Sequence, residues 1–173
     1  NDFSSALNSH MKALSIREKL LGDHEDTAKS HYVLGCTYNI LDDFSSSLEE
    51  HKKALSIREK LLGEHEETAW SHYEVGCTYY NLDDLNSALE EHKKALTLRK
   101  KLLGDHEDTA WSHYEVGCIS NDLNYSISAL EEHKKAMSMR EKLLGDHEDT
   151  AESHYENGSR MNSLHAYRKS EEE

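Results

Sequence analysis

Thirteen histidines, three cysteines and 34 acidic residues are the side chains here that could do chemistry. Imidazole, thiolate and carboxylate bind zinc-type metals, and the same groups serve acid–base and nucleophilic catalysis. Their spacing argues against both uses. His24-Glu25 opens like a His-Glu-x-x-His helix, in which two His one turn apart hold zinc beside a Glu base. The fifth position, however, is Ala28, and it is Ala69, Ala110 and Ala151 in three later copies of the segment. The second ligand is missing, and the segment falls at a helix start rather than along one helical face. There is no Gly-rich phosphate loop, no Gly-x-Ser-x-Gly elbow and no Cys with an evident base. The carboxylates spread along solvated faces without a pair. No enzyme, no cofactor and no metal is therefore expected. A ladder of His from copy to copy, a metal-responsive module, is the third-ranked reading.

Charge narrows the partners. The chain has 173 residues, 34 acidic against 20 basic, a net charge of −14 with neutral His. Nucleic-acid binding needs clustered Lys and Arg, so it is not expected. The longest apolar runs are a few residues, so no membrane span is expected either. Cys36, Cys77 and Cys118 are spaced evenly, and equivalent positions in stacked helix pairs lie too far apart for disulfides. Reduced thiols fit a cytoplasmic protein. Protonating all thirteen His would raise the charge from −14 to −1 by simple addition, so mild acidification is expected to alter solubility or partner choice.

The elements that carry these residues are set by a repeat. Leu-Leu-Gly recurs at Leu20, Leu61, Leu102 and Leu143, each step 41 residues, and Glu-Glu-His-Lys-Lys-Ala recurs at Glu49, Glu90 and Glu131. Self-similarity at such a period marks a solenoid whose units bury their apolar faces against one another. Each unit reads as two helices. In 24–63 the first runs from about Thr27 to Ile40, with Asp26 or Thr27 as N-cap. Its bulky positions, Ala28, His31, Tyr32, Leu34, Gly35 and Tyr38, have helical spacing. Asp42-Asp43 makes a turn and a fresh cap, and a second helix runs from Phe44 to Leu62. Glu49 and Lys53 pair along it at i, i+4, and Gly63 ends it with a left-handed backbone. His31 and His51 fall on inner faces, where core histidines with satisfied partners are expected.

The organisation is thus a single array over 1–173: a lone second helix in 2–22, full units at 24–63, 65–104 and 106–145, and a degenerate terminal unit at 147–173. His72, Val75, Gly76 and Tyr79, then Ala88, His92 and Ala95, carry a resemblance to the tetratricopeptide repeat (TPR) family. The tail from Ala54 to Gly63 resembles the extended kinesin-light-chain and nephrocystin type. The resemblance implies an all-α, right-handed α-solenoid of antiparallel helix pairs with a 41-residue period. This chain departs from the family pattern in having no Pro, in Ser120 where Tyr is expected, and in Asn124-Tyr125 where the other units have Asp-Asp.

The resemblance also implies a binding groove lined by the first helices. Its contact positions hold Lys29, Trp70 and Trp111; Tyr32, Tyr73 and Tyr114; Cys36, Cys77 and Cys118; and Asn39, Tyr80 and Asn121. Glu74 and Glu115 stand one residue after the Tyr row, with Val33 in the first unit and Glu156 in the last. Aromatic anchors dominate interface energies, and carboxylates beside them favour a basic partner through charge and cation–π attraction. The expected function is a non-enzymatic scaffold or adaptor that binds a peptide or partner protein in the groove. The alternative is a structural segment that self-associates end to end. The Tyr and Trp rows equally suit packing between units, and the Glu row a solvated face.

Overall fold

The computed structural model describes residues 2–145, together with Ala151, His154 and Tyr155. Among them are seven helices and no strand: α1 (Asp2–Leu21), α2 (Glu25–Ile40), α3 (Phe44–Leu62), α4 (Glu66–Asn81), α5 (Leu85–Leu103), α6 (Glu107–Asp122) and α7 (Ser126–Leu144). The terminal unit expected at 147–173 lies outside the described residues, those three positions excepted. None of the described helices is long and apolar enough to cross a membrane. Contacts divide the chain into two compact units, one up to Leu98 and one from Arg99.

In the first unit, α2 and α3 are joined by a turn that the local sequence makes cheaply. Asp42 adopts φ 57, a left-handed conformation that Asp and Asn tolerate better than most side chains. Its N–H donates to Asn39 O (3.1 Å), and Asp43 N–H donates to Tyr38 O (3.0 Å). These two bonds satisfy the last carbonyls of α2. The Asp43 carboxylate then accepts from Ser46 N at 3.1 Å and starts α3. The α4–α5 turn repeats this at Asp83 and Asp84. The α6–α7 turn places Asn124 at φ 63, and the α1–α2, α3–α4 and α5–α6 connections use Gly22, Gly63 and Gly104 near φ +60.

The first helices begin earlier than the sequence suggests. Their N-caps are His24, His65 and His106, not Asp26 or Thr27. Each imidazole Nδ1 accepts the N–H two residues on, at 3.1–3.2 Å. A neutral imidazole has one acceptor nitrogen, so it can cap as a carboxylate does. Thr27, Thr68 and Thr109 are instead buried one turn inside.

Between helices the core is small. Ala28, Ala54, Ala69, Ala88 and Ala95 are fully buried in the first unit, as are Ala110, Ala129 and Ala136 in the second. Small residues let backbones approach, and buried imidazoles fill the rest. His31 and His51 are both buried, as the inner faces require. His31 Nδ1 pairs with Glu50 Oε2 at 2.7 Å, and His72 pairs with Glu91 at the same distance. In the second unit His113 pairs with Glu132 at 2.6 Å. On the surface, Lys53 bridges Glu49 (2.7 Å) and Glu50 (2.8 Å).

Candidate functional site

Lys29 and its equivalents follow the buried Thr-Ala pair in the first turn of each first helix, and their side chains leave the core. Lys29, Trp70 and Trp111 are accordingly exposed, the indoles by 41% and 43%. One turn further along each helix stands the Tyr. Trp70 lies against Tyr73 with centroids 5.4 Å apart and planes tilted by 31°. In the second unit Trp111 and Tyr114 repeat this at 5.6 Å and 33°. Each Tyr is half-buried because its other side meets a core imidazole, edge to face: Tyr73 on His92 at 5.2 Å and Tyr114 on His133 at 5.4 Å. Tyr32 meets His51 in the same manner at 5.7 Å. The Tyr row thus serves packing and surface together.

Within the first unit the structure joins Tyr32 and Asn39 of α2 to side chains of α4. Tyr32 Oη donates to Glu74 Oε1 at 3.5 Å, and Asn81 Nδ2 donates to Asn39 Oδ1 at 3.1 Å. Burial pushes the Tyr32 hydroxyl up to about 12 and raises Glu74, although the Tyr32 hydrogen bond pulls the carboxyl back. Glu74 is therefore not the solvated face that its charge suggests; it is half-buried beside aromatic rings. Tyr80 is 46% exposed. In the second unit Glu115 is likewise half-buried, its carboxyl raised by burial and lowered less by Arg99. Asn121 is exposed, and its carbonyl accepts Asn124 N–H in the turn.

One repeated group went unassigned in the sequence. Arg58, Arg99 and Arg140 are almost fully buried. Arg58 on α3 donates to Ser71 Oγ on α4 at 2.8 Å and meets Glu67 at 2.9 Å, with Tyr32 at 5.7 Å. In the second unit Arg99 donates to Ser112 Oγ at 2.7 Å, and Arg140 sits 5.4 Å from the Tyr114 ring. The signal was available: an Arg held at 41-residue steps, with a Ser 13 residues on each time.

Cys36, Cys77 and Cys118 are half-buried thiols. His31 and His72 each hold a carboxylate through Nδ1, Glu50 and Glu91 respectively.

The family model for the tetratricopeptide repeat matches residues 2–60 and 37–101. No curated protein matches the sequence. Among solved structures, BtubC (BKLC) from P. vanneervenii superposes with a TM-score of 0.84 at 19% identity, covering 99% of this chain and 70% of that one. A kinesin-light-chain-type protein of nearly identical TPR-like repeats from Podosopora anserina gives 0.84 at 18%, covering 98% and 82%. A Rap protein complexed with competence and sporulation factor gives 0.68 at 16%, covering 99% of this chain and 47% of its own. At these identities the likeness establishes an all-α helical repeat solenoid.

Proposed function

The chain belongs to the tetratricopeptide repeat family, and on that premise we propose that it is a non-enzymatic scaffold whose first helices bind a peptide or partner protein bearing basic side chains. The observation that carries this reading is the recurrence of one surface element. An indole exposed by more than 40% rests on a Tyr, and a desolvated carboxylate follows one residue later, at Trp70–Tyr73–Glu74 and again at Trp111–Tyr114–Glu115. Aromatic rings supply contact area at low entropic cost and a face for cations. A half-buried carboxylate gains most from a cation that replaces its lost hydration. The chain's net charge of −14 would steer such a partner in. The Rap neighbour, complexed with competence and sporulation factor, supports the use of this fold for recognition. Three cysteines held as thiols fit a reducing, cytoplasmic setting.

The test uses a property of the chain itself. Its two tryptophans are Trp70 and Trp111, so indole emission excited selectively over the tyrosines reports on the proposed surface. Peptides of basic, acidic and neutral composition are titrated while emission is followed. Basic peptides are expected to shift the emission and bind at least tenfold more tightly than acidic ones. Trp70→Ala and Trp111→Ala, followed by calorimetry, should each weaken that binding. Equal binding of all three classes, or binding indifferent to both substitutions, would overturn the reading.

A further inference from the structure

Gly35 has no side chain, and the His51 ring fills the space, so close that a Cβ there would meet it at 2.8 Å. That contact brings the imidazole edge next to the residue after Gly35, which is Cys36. From α4 the Glu74 carboxylate reaches the same place. The ligand atoms of Cys36, His51 and Glu74 all lie within 4.8 Å of one another. Three helices thus deliver a thiol, an imidazole and a carboxylate, from positions 15 and 23 residues apart in sequence, to one point.

We propose that Cys36, His51 and Glu74 form a binding site for a borderline-soft divalent cation of the zinc type. Metal bonds of about 2.0–2.3 Å place tetrahedral ligand atoms about 3.3–3.8 Å apart, so closing the set takes shifts of about 1 Å. A thiolate with an imidazole selects zinc-type ions over magnesium or calcium, which prefer oxygen alone. Thiolate and carboxylate together balance a charge of +2, which matters because the Arg58 guanidinium lies near both His51 and Glu74. Tyr32 Oη, 3.5 Å from Glu74 Oε1, is placed to orient the carboxylate. The thiol–imidazole half of the arrangement recurs on the next helix pair, where Cys77 Sγ lies 4.0 Å from His92 Nε2. Three protein ligands leave a fourth position open to water or to a donor from a partner. Glu74 belongs to both this site and the proposed peptide surface, and peptide titrations run with chelator present test the peptide reading apart from the metal.

Cobalt(II) titration of the whole chain carrying Cys77→Ala and Cys118→Ala tests the site, because only Cys36 can then give a thiolate-to-cobalt charge-transfer band. The expected result is that band, saturating at one equivalent and displaced by zinc. It should vanish on adding Cys36→Ala, and Glu74→Gln should weaken binding at least tenfold. Should Cys36→Ala not fold, Cys36→Ser keeps the side-chain volume and should abolish the band equally. A titration without the band, as exposed histidines such as His24 would give, overturns the proposal. So does a band that survives loss of Cys36.

Discussion

Gly76 and His92 touch so closely that no side chain fits between them. A Cβ built at Gly76 meets His92 Cδ2 at 2.6 Å, and the ring, buried to within 2%, has nowhere to move. Gly117 and His133 repeat the contact at 2.6 Å in the second unit. Gly76→Ala is therefore expected to lower stability by about 1–3 kcal/mol through overpacking. Alanine's helix preference of roughly 1 kcal/mol offsets only part of this. Thermal unfolding of Gly76→Ala, His92→Ala and the double variant checks it. The double variant should lose less than the sum of the two singles.

Helix α7 lacks what α3 and α5 have. Asp43 and Asp84 cap their helices through Ser46 N and Ser87 N, whereas Tyr125 at the same place makes no side-chain cap bond. Its backbone, φ −86 and ψ 60, already matches Asp43 at φ −88 and ψ 70. Tyr125 is 53% exposed and gives up little packing. Tyr125→Asp should thus stabilise the second unit by about 1 kcal/mol, read as a higher denaturation midpoint. An unchanged midpoint would show that the end of the helix is already satisfied by water.

The buried guanidinium of Arg58 ties α3 to α4 through Ser71 and Glu67. Lysine cannot reproduce a fork that meets two partners at once. Arg58→Lys is expected to cost about 1.5–3 kcal/mol, the range for hydrogen bonds to charged groups. Ser71→Ala in the Arg58→Lys background should add little, because the bond is already gone. Urea denaturation of the four proteins closes the cycle.

Acid should loosen the second unit through Glu132. Burial raises this carboxyl, but hydrogen bonds from His113 and Lys135 outweigh it and hold the group down at about 2. In the unfolded chain a Glu titrates near 4.3. The folded value is the lower one, so the unfolded state takes up the proton first as pH falls. The contribution is complete above about pH 4.3 and disappears as pH drops towards 2. At about 1.4 kcal/mol for each pH unit it reaches at most about 3 kcal/mol. Glu132→Gln should flatten stability against pH in that window, read from denaturation midpoints at successive pH values.

How much of this was legible in the residues alone depends on the range over which each feature is decided. The span Phe44–Leu62, the Asp42-Asp43 turn and the Gly63 stop follow from local preferences: helical spacing, short capping side chains and a left-handed backbone. These act within a few residues, so sequence determines them by itself. The His24 cap was missed because an acceptor imidazole competes with Asp26 and Thr27, and only the buried position of Thr27 decides the matter. Tertiary packing also decided what each polar side chain does. Glu74 looks like one more surface acid until Tyr32, 42 residues away, closes over it. Arg58 looks like a solvated cation until Ser71 and Glu67 enclose it. Cys36, His51 and Glu74 have no motif spacing and meet only where three helices converge. Desolvation and through-space charge depend on which helices share an interface, and a one-dimensional pattern holds that information only once the helices are packed.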